Sequence, residues 1–275
     1  MKPITSALVA QTITPRPADS HKGTYGRLLL IGGNQNFGGA IIMAATAAVY
    51  SGAGLVTVAT DPENFTSLHA QLPEAMVVDY TDLTFVKQQL KSATVIVIGP
   101  GLGTDDLAKK LLTTVLTELT ATQRLVIDGS AITLLATHSQ PLPAGSIVVT
   151  PHQMEWQRLS GLAIVDQTPT ANLAAAQQLG VTAVVKSHQT TIYQGISSWQ
   201  NIAGTPAMAT GGMGDTLAGM VGGFSAQFTD FTKAILSAVY VHSQIADDLA
   251  QKKYVVLPHQ ITPLIPQYLH RYSQK

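Results

Sequence analysis

The chain contains no cysteine. Disulfides, thiolate metal sites and cysteine nucleophiles are therefore excluded. The absence suits a reducing cytosol, so a cytoplasmic location is the expectation. Charge is also scarce. Asp, Glu, Lys and Arg make up 12% of the 275 residues and cancel to a formal net charge of zero. No basic excess is available to hold a nucleic-acid backbone or an anionic membrane. The N-terminus, "MKPITSALVAQTITPRPADSHKG", lacks the continuous apolar core of a signal peptide. Residues 28–60 carry no charge, but Gly32, Gly33, Asn34, Gln35, Asn36, Gly38 and Gly39 interrupt them. The apolar runs that remain are far shorter than the roughly 20 residues a membrane span needs.

What is present is apolar. Hydrophobic residues reach 45%, enough for a sizeable core, and the length fits one large α/β domain over 1–275. Short aliphatic runs recur: "RLLLIGG" (27–33), "LVTVAT" (55–60), "TVIVIGPGLG" (94–103), "RLVIDG" (124–129), "SIVVTP" (146–151) and "VTAVVKS" (181–187). Helical patterns separate them. "GAIIMAATAAVYSGAG" (39–54) is alanine-rich and closed by glycine. "TDDLAKKLLTTVLTEL" (104–119) has Thr104 as its expected N-cap and acids in its first turn. "TANLAAAQQLG" (170–180) is a third. Continuous apolar strands alternating with helices imply a mostly parallel sheet covered on both faces. After residue 187, "TTIYQG" and "SSWQNIA" predict a hairpin, and the remainder is mostly helical. No Pro/Gly/Ser-rich linker divides the chain.

In such sheets, ligands sit outside the carboxyl ends of the strands. Four loops at those ends are distinctive: "GGNQNFGGA", "GPGLG", "TPHQME" and "KSHQT". A shared pocket explains them together. A fifth stretch, "PAMATGGMGDTLAGMVGGF" (206–224), carries Asp215, the one formally charged side chain between Ser187 and Thr229. Gly211, Gly212 and Gly214 leave backbone N–H groups uncovered at the start of a predicted helix, where the dipole attracts an anion. A transferring phosphoryl group fits that nest. Asp215 beside it could take a proton from an attacking hydroxyl. The plainer reading is an acid capping a helix. The lack of other charge weighs against it, because isolating a carboxylate among apolar groups is costly.

"TGGMGDTLAG" resembles the glycine-rich anion hole and catalytic-base motif of ribokinase-like kinases. From about Pro17 to about His259 the chain resembles the NAD(P)H-hydrate dehydratase branch of that superfamily. The blocks that carry the resemblance include "SHKGTYGRLLLIGGNQNFGGAIIMAATAAVYSGAGLVTVAT", "LPEAM", "VIGPGLG", "VIDGSAI", "VTPHQMEWQRLSG", "VVKSHQTTIY" and "GTPAMATGGMGDTLAGMVGGF". The implied fold is a ribokinase-like α/β sheet with helices on both faces. The implied activity is repair of NADH or NADPH hydrated at C6, driven by ADP or ATP with Mg2+. ADP is the expected donor in bacteria. A homotetramer is also implied.

The resemblance assigns roles to individual positions. Asp215 would be the base and would contact the hydrated cofactor, as would Ala40, Gly103 and His152. Gly214 would lie against the nucleotide phosphates, and Lys186, Ser187, His188, Gln189 and Thr190 would form the nucleotide loop. Glu155 resembles an acid that related enzymes place near magnesium, but no metal ligand is assigned. Each position has another reading. Ala40 and Gly103 also fit close packing, His152 a helix cap, Lys186 a solvated strand end and Glu155 a first-turn acid.

The chain departs from the family pattern in places. Ser187 and His188 replace a usual Gly–Ala pair. Gln153 and Met154 stand where Pro and Gly are common. "IDGSAI" keeps Asp128 but puts Ser130 at a second acid. About 20 residues precede the matched block, so no N-terminal epimerase domain is expected. Two alternatives stay open: a vitamin-precursor or sugar kinase of the same fold, and a non-catalytic nucleotide-binding regulator. The uncharged "AILSAVYVHSQIA" offers an apolar face, either to the core or to a neighbouring subunit.

Overall fold

The structure is a computed structural model that describes residues 1–137 and 142–274. Its described strands are β1 (Lys2–Pro3), β2 (Arg27–Ile31), β3 (Leu55–Thr60), β4 (Met76–Asp79), β5 (Val95–Ile98), β6 (Arg124–Ile127), β7 (Ser146–Val149), β8 (Thr182–Val185), β9 (Thr191–Gln194) and β10 (Ser197–Gln200). The α-helices are α1 (Ser6–Thr12), α2 (Gly38–Tyr50), α3 (Phe65–Gln71), α4 (Leu83–Ser92), α5 (Asp106–Glu118), α6 (Ser130–Ala136), α7 (Gln153–Ser160), α8 (Pro169–Leu179), α9 (Met213–Gln227), α10 (Phe231–Ala250), α11 (Pro258–Ile261) and α12 (Ile265–Ser273).

All the strands join one sheet in the order β1-β10-β9-β8-β7-β6-β5-β2-β3-β4. Pairing is parallel except around β9, which runs antiparallel to β8 and β10. The β9–β10 hairpin is the one predicted from "TTIYQG" and "SSWQNIA".

Alternate strand residues feed two cores. Leu28, Leu30, Val95, Val97 and Val126 point to one side, against α1, α2, α9, α10 and α12. Leu29, Ile31, Ile96, Ile98, Leu125 and Ile127 point to the other, against α4 to α8. Both faces are dry, so these strands read as unbroken aliphatic runs. Each fully buried branched side chain contributes roughly 1.5–3 kcal/mol.

Local chemistry fixes the helix ends. The N-cap of α5 is Asp105, whose side chain accepts from the Ala108 N–H, and not Thr104 one residue earlier. The carboxylate of Asp105 reaches the orphan N–H of the third helical residue, leaving Thr104 outside. α2 stops at Tyr50, short of the expected residue 54, where Gly52 takes a left-handed φ of 96°. α10 turns Ile235, Leu236, Val239, Val241 and Ile245 into the core, so its apolar face is interior packing.

The glycines of α9 permit one close approach. A Cβ on Gly219 would lie 2.0 Å from the Ala44 carbonyl oxygen. The α9 backbone therefore lies directly on α2.

The connections place the crevice. From β2 the chain moves outward to β3 and β4, then returns to the other side of β2 as β5. In open α/β sheets such a reversal marks the carboxyl ends of the flanking strands, here β2 and β5, as a place for a ligand. The two loops there are joined by Gly33 N–H to Pro100 O (2.9 Å) and Asn34 N–H to Gly101 O (2.8 Å).

Candidate active site

At the end of β2, the Asn34 side chain accepts from the N–H groups of Asn36 and Phe37 and shapes the turn into α2. Ala40 stands in the first turn of α2. A Cβ on Gly101 would meet the Ala40 methyl at 3.1 Å and the Phe37 carbonyl at 2.3 Å. Gly103, with φ of 83°, lies so close to Asn34 that a Cβ would be 2.6 Å from Nδ2. Ala40, at the start of α2, and Gly103, in the loop after β5, thus lie on neighbouring segments, with the ring of Phe37 exposed beside them. Close packing and a backbone-lined subsite are the same geometry here.

Next along the rim, β7 and β8 stay paired past their formal ends. The Lys186 N–H donates to the Pro151 carbonyl (2.8 Å), which sets His152 beside Lys186. His152 is the N-cap of α7. Its Nδ1 accepts from the Met154 and Glu155 N–H groups, each at 3.2 Å. Glu155 answers by accepting from the His152 N–H at 2.8 Å. His152 and Glu155 therefore form a capping box. The Glu155 side chain is enclosed, while the imidazole keeps 55% of its surface exposed and can still present an edge to a ligand.

Lys186 is not a solvated strand end. Its Nζ donates to Asp128 Oδ1 at 2.9 Å, and the lysine side chain is 21% exposed against 3% for Asp128. Thr150 donates to the same oxygen at 2.6 Å. Burial disfavours the ammonium, but Asp128, Glu155 and Asp215 outweigh it and raise the lysine pKa. Lys186 also arches over α9: a Cβ on Gly214 would come within 3.2 Å of Nζ.

Gly212 is the N-cap of α9, with φ of 88°, and its missing Cβ leaves room for Met43. Asp215 is in the first turn. Burial, and after it the negative Asp128, push its pKa up to about 6, against the opposing pull of Lys186 and a backbone hydrogen bond. A carboxylate tuned toward neutrality at a helix N-terminus is suited to proton transfer beside a phosphate.

Ser187, His188, Gln189 and Thr190 continue from Lys186 into the wall of a cavity of about 550 Å³, which Gly214, Leu217 and Val239 also line. A larger cavity of about 760 Å³ lies elsewhere, by Arg16, Tyr25 and Gly52 near the starts of β2 and β3. Arg16 is already engaged there by the Gly52 carbonyl and Gln227.

The structure therefore brings Asp215, Lys186, Glu155 and Asp128 into one electrostatic group, with Gly214 beneath the Lys186 ammonium and His152 capping α7 beside Glu155. It places Ala40 in the first turn of α2 next to the loop that carries Gly101 and Gly103, and Ser187 to Thr190 on the cavity wall. The sequence reading missed the pairing of Asp128 with Lys186. A signal existed: both are charged residues at the ends of buried strands. It also missed His242 on the cavity wall, Thr150 as a donor to Asp128, and Asn34 as the residue that shapes the turn into α2.

Comparison with known proteins decides the family. The NAD(P)H-hydrate dehydratase family profile matches residues 28–267. This chain is a member of the NAD(P)H-hydrate dehydratase family. One relative of the dehydratase, from Lactiplantibacillus plantarum, is 70% identical over 274 residues, covering 100% of this chain and 99% of its own, and is named an ADP-dependent (S)-NAD(P)H-hydrate dehydratase. A ribokinase-like superfamily protein from Enterococcus faecalis superposes with a TM-score of 0.98 at 48% identity, covering 100% of this chain and 97% of that one. The ADP/ATP-dependent NAD(P)H-hydrate dehydratase of Bacillus subtilis, co-crystallised with ATP/Mg2+, has a TM-score of 0.87 at 30% identity, with 98% of both chains covered. The fold is ribokinase-like.

Proposed function

We propose that this dehydratase restores NADH and NADPH from their C6-hydrated forms, using ADP to drive the loss of water. End-to-end similarity to an ADP-dependent (S)-NAD(P)H-hydrate dehydratase carries the reading. The placement of Asp215 supplies its chemistry.

Hydroxide is a poor leaving group, and phosphate is a good one. In this mechanism, Asp215 accepts the proton of the C6 hydroxyl. The freed oxygen attacks the terminal phosphorus of ADP, and the bond to the leaving phosphate oxygen breaks to release AMP. The C6–O bond then breaks toward phosphate, with loss of the C5 proton, and the C5=C6 double bond re-forms. Lys186 and the N–H groups around Gly214 hold the phosphates. Ser187, His188, Gln189 and Thr190 surround the rest of the nucleotide. Ala40, Gly103 and the exposed edge of His152 face the hydrated cofactor.

Magnesium is part of the proposal. Among the described residues, no three His, Asp or Glu side chains are grouped to cage an ion. Mg2+ needs no such cage, because it is usually held by one or two carboxylates together with substrate phosphates and water. Asp128 and Glu155 are the carboxylates whose charge acts on the base, and both already accept hydrogen bonds. The ion would neutralise phosphate charge. A cytoplasmic location and a homotetramer complete the proposal. No described helix is long and apolar enough to cross a membrane.

The test is recovery of dihydronicotinamide absorbance from hydrated NADH on adding enzyme, ADP and Mg2+. Recovery that requires ADP supports the reading. Accumulation of a phosphorylated hydrate without absorbance recovery would identify a kinase instead.

A further inference from the structure

His242 lies on α10 and is only 4% exposed, yet its ring lines the 550 Å³ cavity. Its Nε2 is enclosed and has no hydrogen-bond partner among the described residues. Such an atom costs about 1–3 kcal/mol when buried unsatisfied. The polar neighbours on α10 behave differently. The Ser243 hydroxyl accepts from Asn201 at 2.8 Å, and Asp247 accepts from the Gly204 N–H at 3.0 and 3.2 Å. Those two residues fasten the 201–204 segment to α10 as one side of the cavity. His242 is left without such a tie.

The imidazole is neutral at working pH. Burial, and then the positive charge of Lys186, push its pKa down to about 4. A neutral ring offers one donor and one acceptor, which suits an uncharged heterocycle rather than a phosphate. Its surroundings agree. Val239 sits one turn earlier on α10, and Leu217, Met208 and Met213 complete an apolar wall. The cationic end of the same cavity, at Lys186 and Gly214, is the phosphate end.

We infer that His242 hydrogen-bonds the edge of the purine base of the nucleotide co-substrate and sets the affinity of the enzyme for adenine nucleotides. This inference rests on the nucleotide site of the proposed function. The ring lines the cavity between Val239, Leu217 and Met213, and a polar ring edge there offers the base a contact that those apolar neighbours cannot.

The experiment is calorimetric titration of wild type, His242→Phe and His242→Asn with ADP and, separately, with ribose 5-diphosphate, which lacks the base. Thermal melts confirm that each protein is folded. His242→Phe should bind ADP about tenfold more weakly, the scale of one net hydrogen bond. His242→Asn, which keeps a donor and an acceptor, should recover to within about threefold of wild type. Ribose 5-diphosphate should bind all three proteins equally. ADP binding by His242→Phe as tight as by wild type would overturn the inference. So would a loss that Asn does not recover, or an equal loss for ribose 5-diphosphate. If wild type itself fails to bind ADP, the nucleotide site falls, and with it the proposed function.

Discussion

Asp215→Asn should make the enzyme more stable while stopping it. In the folded protein, burial and Asp128 raise the carboxyl pKa from 3.8 to about 6. At 1.36 kcal/mol per pH unit, ionising Asp215 in the fold costs about 3 kcal/mol relative to the unfolded chain, as an upper figure. The sign follows from the direction. Below about pH 4 both states carry the proton, and the carboxyl adds no penalty. As pH rises through about 6 the folded state is forced to ionise, and the penalty reaches its plateau. Asn mimics the protonated form at every pH, so the variant should match wild type in acid. At pH 7.5 it should exceed wild type by about 1–3 kcal/mol. For a chain of this size that is a rise in melting temperature of several degrees, at about 2–4 °C per kcal/mol. Turnover should fall at least about 10²-fold, because the amide cannot accept a proton. The assay is urea unfolding of both proteins at pH 4 and pH 7.5, alongside their rates with hydrated NADH. A variant less stable than wild type at pH 7.5 would refute the electrostatic account. A variant turning over near the wild-type rate would make Asp215 a first-turn acid and nothing more.

Other outcomes are expected from the same geometry. kcat/KM should fall on the acid side with a pKa near 6, the value toward which Asp215 is pushed; a profile flat down to pH 5 would contradict this. Lys186→Gln should weaken ADP binding by about 1.5–3 kcal/mol in calorimetry. It should also destabilise the fold, because Asp128 is left buried without its cation; adding Asp128→Asn should restore part of that loss. Gly219→Ala should cost about 1–3 kcal/mol in urea unfolding, since its Cβ would press on the Ala44 carbonyl. ADP should support faster initial rates than ATP at equal concentration; the reverse would reject the donor choice alone.

The strands of the sheet core were legible because both faces of the sheet are buried. "LVTVAT" coincides with β3, and "RLVIDG" and "SIVVTP" contain β6 and β7. The edges were harder to read. β4 has only Val78 fully buried, so Met76–Asp79 lacks an aliphatic run. β1 is two exposed residues held by pairing with β10, which lies far along the chain at Ser197–Gln200. In the site, Asp215 stood out because its neighbours carry no charge. Lys186 stood out as a charge at a strand end. Asp128 showed the same signal, but its pairing with Lys186 depends on β6, β7 and β8 lying side by side, which spacing in the chain does not reveal. His242 sits in an apolar helical pattern that looks like core, and only the cavity beside it distinguishes it. His152 shows how two readings can coincide: one nitrogen caps α7 while the ring remains exposed.

The most direct measurement counts products. Hydrated NADH is incubated with enzyme, ADP and Mg2+, and NADH, AMP and phosphate are quantified together. The account predicts one AMP and one phosphate for each NADH formed, with all three reduced in step by Asp215→Asn. AMP formed without NADH, or NADH formed without AMP, would contradict it.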